Sequence, residues 1–245
     1  MAERIRLDIA LEQRGLARSR SRARDAILRG TVRLNGAVVD KPGALVAASD
    51  SLSIDDPVSP YVSRSALKLI AGLDAAQLDP KGLVCLDLGS STGGFTQVLA
   101  ERGAASIYAV DVGRDQLHPD LRALHQITVL EQTDARKLTP ELVPEPIDLL
   151  VCDVSFVSVA KILAAPLALC RPGANAVILI KPQFEVGREA IGKGGIVTDA
   201  TAIARAQDDI VAFMQDAGWQ LQLLVPSPIS GGDGNVETVA VFLRG

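Results

Sequence analysis

The chain of 245 residues is short of the residues that build metal centres, disulfide frameworks and membrane spans. Its three cysteines, Cys85, Cys152 and Cys170, are odd in number and far apart, and two lie inside apolar, strand-like runs. Such spacing excludes a disulfide scaffold and a thiolate metal site; it reads as buried free thiols in a reducing compartment. The two histidines, His118 and His125, stand in no ligand or catalytic pattern, so no metal is expected. No apolar run approaches the roughly 18 residues of a membrane-spanning helix. The opening Met-Ala-Glu-Arg-Ile-Arg lacks a signal peptide's apolar segment, so a cytoplasmic protein with no membrane partner is the expectation. Internal repeats and low-complexity segments are absent too. A formal net charge of −4 argues against nonspecific nucleic-acid binding by the chain as a whole.

What is present is a real core and an uneven charge. The 48% hydrophobic content excludes wholesale disorder. Residues 4–41 hold ten Lys and Arg against four Asp and Glu, whereas residues 58–245 hold 15 against 21. A basic head on an acidic body suggests a module that reads a polyanion, attached to something else. The polar, proline-marked stretch Asp55-Asp56-Pro57-Val58-Ser59-Pro60 is the natural linker, giving domains 1–57 and 58–245.

In the head, apolar spacing predicts a short helix from Leu7 closed by Gly15. Ser19 or Ser21 caps a second helix running to Arg29, with Gly30 after its end. Val32-Arg33-Leu34 alternates as a strand into the tight-turn pair Asn35-Gly36, Val38-Val39 returns, and Ser51 to Ile54 makes a last strand. The pattern Arg-Leu-Asp-x-x-Leu, Gly-Leu-x-x-Ser-Arg, Ala-x-x-x-Ile-x-x-Gly-x-Val-x-x-Asn-Gly over residues 4 to 55 resembles the small α+β RNA-binding domain of ribosomal small-subunit protein S-four and its relatives. The resemblance implies that the second helix and the following strand face RNA. Arg4, Arg6, Arg18, Arg20, Arg22, Arg24 and Arg33, with Arg64 beyond the linker, are the candidate RNA-binding residues. Guanidinium groups suit that face because they grip phosphate bidentately and stack.

The body is organised around residues 83 to 95. Leu83 to Leu88 is an apolar run of strand length that carries Asp87; Gly89, Ser90, Ser91, Thr92, Gly93 and Gly94 follow, and Phe95 resumes helical spacing. A strand, a glycine turn and a helix start let a ligand approach bare backbone at the carboxyl edge of a parallel sheet. The spacing is neither G-x-G-x-x-G nor a P-loop, since no Gly-Lys-Ser/Thr follows. Asp-x-Gly-x-x-x-Gly-Gly-Phe resembles motif I of the S-adenosylmethionine-dependent methyltransferases, and within them the FtsJ-type ribose methyltransferases, which usually carry Pro and Trp where this chain has Thr92 and Phe95.

Around that motif, a helix is expected over 61–76, then strands at 83–88, 106–111, 127–131, 147–152 and 175–181. Helices are expected from 94, near 115–124, near 139–143, at 158–169 and at 199–217. Two closing strands, near 219–226 and 236–243, have no helix between them, so the last runs antiparallel. The fold class is α/β, a Rossmann-like methyltransferase sheet of seven strands behind the small head. Cofactor residues implied by the resemblance are Asp87, Gly89, Ser90, Ser91, Thr92, Gly93, Gly94 and Phe95. Asp111, 24 residues after Asp87, would serve the ribose hydroxyls, Asp134 the adenine amino group, and Asp153 the fourth strand end. S-adenosyl-L-methionine is the cofactor they imply.

At the fourth strand end stands Asp153-Val154-Ser155-Phe156, not the Asn/Asp-Pro-Pro-aromatic of amino-group methyltransferases. No cysteine occupies a loop suited to carbon-5 attack on cytosine, and hydroxyl methylation is left. The FtsJ-type enzymes use a Lys-Asp-Lys-Glu set, and Lys68, Asp153, Lys181 and Glu237 stand at the matching places. A ribose 2′-hydroxyl must lose its proton as it attacks, and a lysine desolvated beside other charges can serve as the base. Lys181 is expected in that role with Asp153 orienting it, and Lys68 and Glu237 placing the hydroxyl and its phosphate surroundings. The glycine-rich stretch from Gly187 to Gly195 reads as a mobile loop, a lid or plain connection alike.

The basic head, Ser-Arg-x-x-x-Lys-Leu, Ser-Thr-Gly-Gly-Phe, Lys-Pro-Gln-Phe-Glu-Val-Gly and Gly-Asn-Val-Glu together are similar to the TlyA family over the whole chain. That family comprises cytidine 2′-O-methyltransferases of 16S and 23S ribosomal RNA, some also described as haemolysins. The resemblance implies rRNA or ribosomal subunits as partner, with the chain acting as a monomer. The rival expectations are a membrane-active haemolysin, for which no spanning or apolar amphipathic helix is present, and an RNA-binding protein with a dead methyltransferase fold.

Overall fold

The computed structural model describes residues 4–17, 19–57, 61–231 and 233–245. The chain divides into two compact units, Met1–Pro60 and Tyr61–Gly245. In the first, β1 (Arg4–Arg6) runs directly into α1 (Leu7–Gln13), followed by α2 (Arg20–Leu28), β2 (Val32–Leu34), β3 (Ala37–Val38), β4 (Leu45–Ala47) and β5 (Leu52–Ile54). Ser19 caps α2 by accepting from the Arg22 amide at 3.3 Å. β2 is central to a sheet with β3 and β5, and β1 pairs antiparallel with β4. The core is small: Leu7, Ala10 and Leu11 of α1 meet Ala23, Ala26 and Ile27 of α2 over Val32 and Val46. The β1–β4 pair leaves no signal in the sequence, because strands of three residues carry too little alternation to be read.

The second unit begins with a turn through Tyr61–Ser65 and α3 (Ala66–Ala75), then β6 (Val84–Leu88), α4 (Gly94–Glu101), β7 (Ser106–Val110), α5 (Pro119–Arg122), β8 (Ile127–Leu130) and β9 (Ile147–Cys152). It continues with α6 (Ala164–Ala168), β10 (Cys170–Ile180), α7 (Pro182–Glu185), α8 (Ala200–Asp216), β11 (Trp219–Pro226) and β12 (Thr238–Arg244). The strand order is β11-β12-β10-β9-β6-β7-β8. Its members from β8 to β10 are parallel, and β12 is inserted antiparallel between β10 and β11. This is the expected seven-stranded sheet with its last strand reversed.

Alternation along each strand sends side chains to two cores. Cys85, Ile107, Ala109, Leu149 and Val151 face α3, α4 and α5, meeting Leu69, Leu73, Phe95, Val98, Leu99 and Leu121. Leu86, Leu88, Leu150, Cys152, Ile178 and Ile180 face α6 and α8, meeting Leu167, Ile210 and Met214. Near-continuous apolar strands fit a parallel sheet covered on both sides. The carboxyl ends of β6, β7 and β9 therefore meet at one edge, where the order reverses around β6 and ligand crevices form.

Three helices are shorter than expected, the first of them, expected over 61–76, beginning only at Ala66. The stretch 115–124 yields only the single turn α5, because Glu131 accepts the amides of Asp115, Gln116 and Leu117 and holds that segment as a loop. The expected 158–169 helix splits into a turn at Val159–Lys161 and α6, and β10 begins earlier than expected, at Cys170. The turn expected near 139–143 is present, with the Leu142 and Val143 amides donating to the Thr139 carbonyl at 3.0 Å, and a further turn at Ala135–Lys137, capped by Asp134, precedes it.

Candidate active site and RNA-binding face

Two adjoining clefts open at the carboxyl edge of the sheet. The smaller, about 150 Å³, is lined by Ser63, Ser65, Gly89, Ser90, Ser91, Thr92, Phe95, Asp153, Ser155 and Lys181. The larger, about 410 Å³, is lined on one side by Val110, Asp111, Val112, Gly113 and Gln116, on the other by Thr133, Asp134 and Ala135, and beyond them by Val154 to Val157. They share Gly89, Ser91, Asp153 and Ser155.

The loop after β6 is built for close approach. Gly89 has φ of +79°, and a Cβ there would lie 2.9 Å from the Asp153 carbonyl oxygen, so glycine admits the end of β9. A Cβ on Gly94 would collide with the Ser65 Oγ, so the turn before α3 can rest over the start of α4 only because that residue is glycine. Asp111 fixes the loop from β7: its oxygens accept the Ser91 amide at 2.9 Å and the Gly113 amide at 2.7 Å.

Of the expected cofactor residues, Gly89, Ser90, Ser91, Thr92, Phe95, Asp111, Asp134 and Asp153 line one cleft or both. Asp87, Gly93 and Gly94 line neither. Asp87 is fully buried beneath the loop, accepting the Thr96 hydroxyl at 2.6 Å with Oδ2, while its Oδ1 has no hydrogen-bond partner among the described residues. Burial pushes the Asp87 carboxyl up to about 7; the Thr96 hydrogen bond opposes this, and the charges of Asp153 and Asp111 add to it. Asp134 is held down at about 2, chiefly by the Arg136 side chain and amide, which accounts for three hydrogen bonds from that guanidinium.

The four residues of the expected catalytic set fall into two ion pairs. Lys181 Nζ lies 2.6 Å from Asp153 Oδ1 and donates to Ser155 Oγ at 2.8 Å. Lys68 Nζ lies 2.5 Å from Glu237 Oε2. All four side chains are nearly buried, but only Lys181 and Asp153 line a cleft. The charge contacts are close yet poorly aligned, since neither Asp153 Oδ1 nor Glu237 Oε2 accepts a regular hydrogen bond among the described residues.

Several residues of the site carry no assignment in the sequence. Ser155, two residues after Asp153, is a second partner of Lys181. Ser63 and Ser65 form part of the small cleft. Phe156 is 92% exposed at a φ of +68°, rare for a bulky residue, and its ring sits 5.4 Å from that of Phe184 on α7. Asn235, fully buried, accepts the Val197 amide and donates to the Gly195 carbonyl, both at 2.9 Å. It clasps the far end of the glycine-rich stretch to the segment carrying Glu237, and that stretch is ordered into two short turns at Arg188–Ala190 and Lys193–Gly195.

In the first unit, Arg4, Arg24 and Arg33 are exposed and Arg22 is half-buried; Arg18 lies outside the described residues. Arg64, at the start of the second unit, is half-buried. Arg6 and Arg20 meet at a single buried acid, Asp8. The two arginines not assigned to RNA serve the fold: Arg14 donates to the Asp50 and Ala47 carbonyls, and Arg29 to Asp56 and Asp25. Among the described residues no group of acids, histidines and cysteines could hold a metal, and no helix is long and apolar enough to cross a membrane.

A seven-stranded sheet with one reversed strand and a ligand cleft at its carboxyl edge is the Rossmann-like fold of the S-adenosylmethionine-dependent methyltransferases. Fibrillarin from Aeropyrum pernix, solved with natively bound S-adenosyl-L-methionine, shares it (TM-score 0.52, 17% identity, over 86% of this chain and 94% of that one). The chain belongs to the FtsJ-like methyltransferase family, which matches residues 61–244, and an S4 domain matches residues 5–52. It is 44% identical over 238 residues to the 16S/23S rRNA (cytidine-2′-O)-methyltransferase TlyA of Mycobacterium tuberculosis, across 97% of this chain and 89% of that protein. Hemolysin A of Brachyspira hyodysenteriae is 34% identical across 98% of this chain and its own full length. A solved structure from Streptococcus thermophilus superposes with a TM-score of 0.78 at 35% identity, over all of this chain and 90% of that one.

Proposed function

We propose that this methyltransferase acts on the 2′-hydroxyl of a cytidine ribose in 16S rRNA, 23S rRNA or both, with S-adenosyl-L-methionine as donor. The observation that carries the reading is the Lys181–Asp153 pair, which opens on a cleft shared with the loop after β6. The similarity to TlyA proteins supports the substrate.

The residues present suit the cofactor. Asp111, though it accepts two amides, retains lone pairs for ribose hydroxyls, and Asp134 offers a carboxylate across the larger cleft. The smaller cleft, rich in hydroxyls, suits a charged amino-acid end. When bound, the cofactor supplies a methyl group on a sulfonium centre.

The chain's own residues do the rest. Lys181 Nζ, reacting as the neutral amine, takes the proton of the attacking hydroxyl and becomes the ammonium that Asp153 pairs with, while Ser155 holds it from a second side. Asp87 supports the loop from beneath through Thr96. Lys68 and Glu237 tie α3 to the start of β12. The exposed Phe156 ring offers a face on which a base can stack. Arginines of the first unit supply affinity for rRNA.

Mass spectrometry of rRNA nucleosides from ribosomal subunits treated with the protein and cofactor tests the reading. A gain of ribose-methylated cytidine is expected. Methylation of a base, or no methylation, would refute it.

A further inference from the structure

The first unit contains a buried acid on which two of its arginines converge. Asp8 is 1% exposed. It accepts from Arg6 Nε and Nη2, each at 3.0 Å, from Arg20 Nε at 3.0 Å, and from the Ile9 amide at 3.1 Å. The two arginines come from different elements: Arg6 ends β1 and Arg20 begins α2. A second tether fixes the start of that helix, since the Arg20 amide donates to Glu12 at 3.0 Å. Space for the Arg6 head is also built in: a Cβ on Gly43 would lie 3.2 Å from its Nη1.

Arg29 shows what an inward-facing guanidinium looks like in the same unit. Asp25 and Asp56 hold it, and its side chain is 19% exposed. Arg6 and Arg20 are 43% and 54% exposed, although Asp8 beneath them is buried. The carboxylate anchors them from below and leaves their remaining donors toward solvent. A guanidinium has five N–H donors, and Asp8 engages only one edge of each.

We propose that Asp8 is a positioning residue of the RNA-binding face, fixing Arg6 and Arg20 side by side as a preformed fork for neighbouring phosphates. The inference rests on reading the first unit as the RNA-binding one. Two mutually repelling cations are held together by the charge between them, and their rotamers are restricted before RNA arrives, so less side-chain freedom is lost on binding.

The expected effect of removing Asp8 has an unusual sign. Asp8 is a negative charge within a basic surface, so simple electrostatics says its removal strengthens RNA binding. Positioning says the reverse. Full-length Asp8→Asn is titrated against ribosomal subunits from cells lacking the protein, over a range of salt, with cofactor binding measured alongside to monitor the second unit. Affinity for subunits should fall about tenfold, the scale of one charged hydrogen bond, and the salt slope should flatten by about one for each phosphate that is no longer neutralised. Equal or tighter binding overturns the proposal.

Arg6→Ala combined with Arg20→Ala separates this result from the reading beneath it. If that double variant binds subunits like wild type, the face does not meet RNA and both ideas fail. If it binds weakly while Asp8→Asn does not, only the positioning role is lost. Arg20→Lys keeps the charge but lacks Nε, and it decides the matter if Asp8→Asn does not fold. A fork predicts a loss of about threefold or more; unchanged binding overturns it.

Discussion

The Lys68–Glu237 and Lys181–Asp153 pairs share their chemistry and nearly their distance, 2.5 and 2.6 Å. They differ in what lies beside them. Lys68 and Glu237 are 7% and 2% exposed, line neither of the two clefts and pair with each other. Lys181 and Asp153 border the small cleft, and Ser155 gives the amine a second, uncharged partner. A pair away from both clefts can hold two elements in register, α3 against the start of β12. An open pair can exchange a proton with something that enters. In the proposed mechanism, position relative to the clefts, not residue type, divides the labour of the four charges.

The sharpest way to break that comparison is to remove one member of the Lys68–Glu237 pair. Lys68→Ala leaves Glu237 charged, buried and unpartnered, which should cost about 3–5 kcal/mol of stability. Thermal or urea unfolding should show the loss before any activity is assayed. Replacing both members, Lys68→Met with Glu237→Gln, should recover most of it. A Lys68→Ala protein as stable as wild type would mean that the pair holds nothing.

Asp87 sharpens the contrast from beneath the loop. Its carboxyl ordinarily titrates at 3.8 and in the fold at about 7. Between those values the folded chain keeps a proton that the unfolded chain releases. The stability that neutral Asp87 contributes is therefore fully present below about pH 4 and lost as pH rises through about 7. Asp87→Asn, neutral throughout, should raise the melting temperature at pH 8 by about 2–8 °C and change it little at pH 4. The same shift at both values would contradict the burial argument. The smallest effect is expected at Ser155→Ala, which leaves the Lys181–Asp153 contact intact; turnover should fall about threefold to tenfold in a single-turnover assay.

The sequence discloses these regions unequally, for physical reasons. The seven strands, the reversed last one and the loop after β6 are legible because apolar runs, glycines and a strand-end acid lie close together in the chain. The Lys-Asp-Lys-Glu set is legible by resemblance, but its division into two pairs is not, since Lys68 and Glu237 meet only across the fold. The same holds for the loop before α5, held by Glu131, and for the Asn235 clasp on residues 195–197. Phe156 carries no signal, because a positive φ leaves no mark on a phenylalanine. Asp87 reads as a cofactor ligand from its strand-end position, while its buried place under the loop depends on Thr96, one turn into a helix.

The open pair is central to the proposed mechanism, in which it acts on a proton, and single-turnover methyl transfer by Lys181→Ala measures that directly. With ribosomal subunits and cofactor both saturating, the rate should fall about 10²–10⁴-fold, with both dissociation constants near wild type. Asp153→Ala added to it should make little further difference, since the two work as one unit. A Lys181→Ala rate above about a third of wild type is too fast for an enzyme that has lost its base and would contradict the assignment.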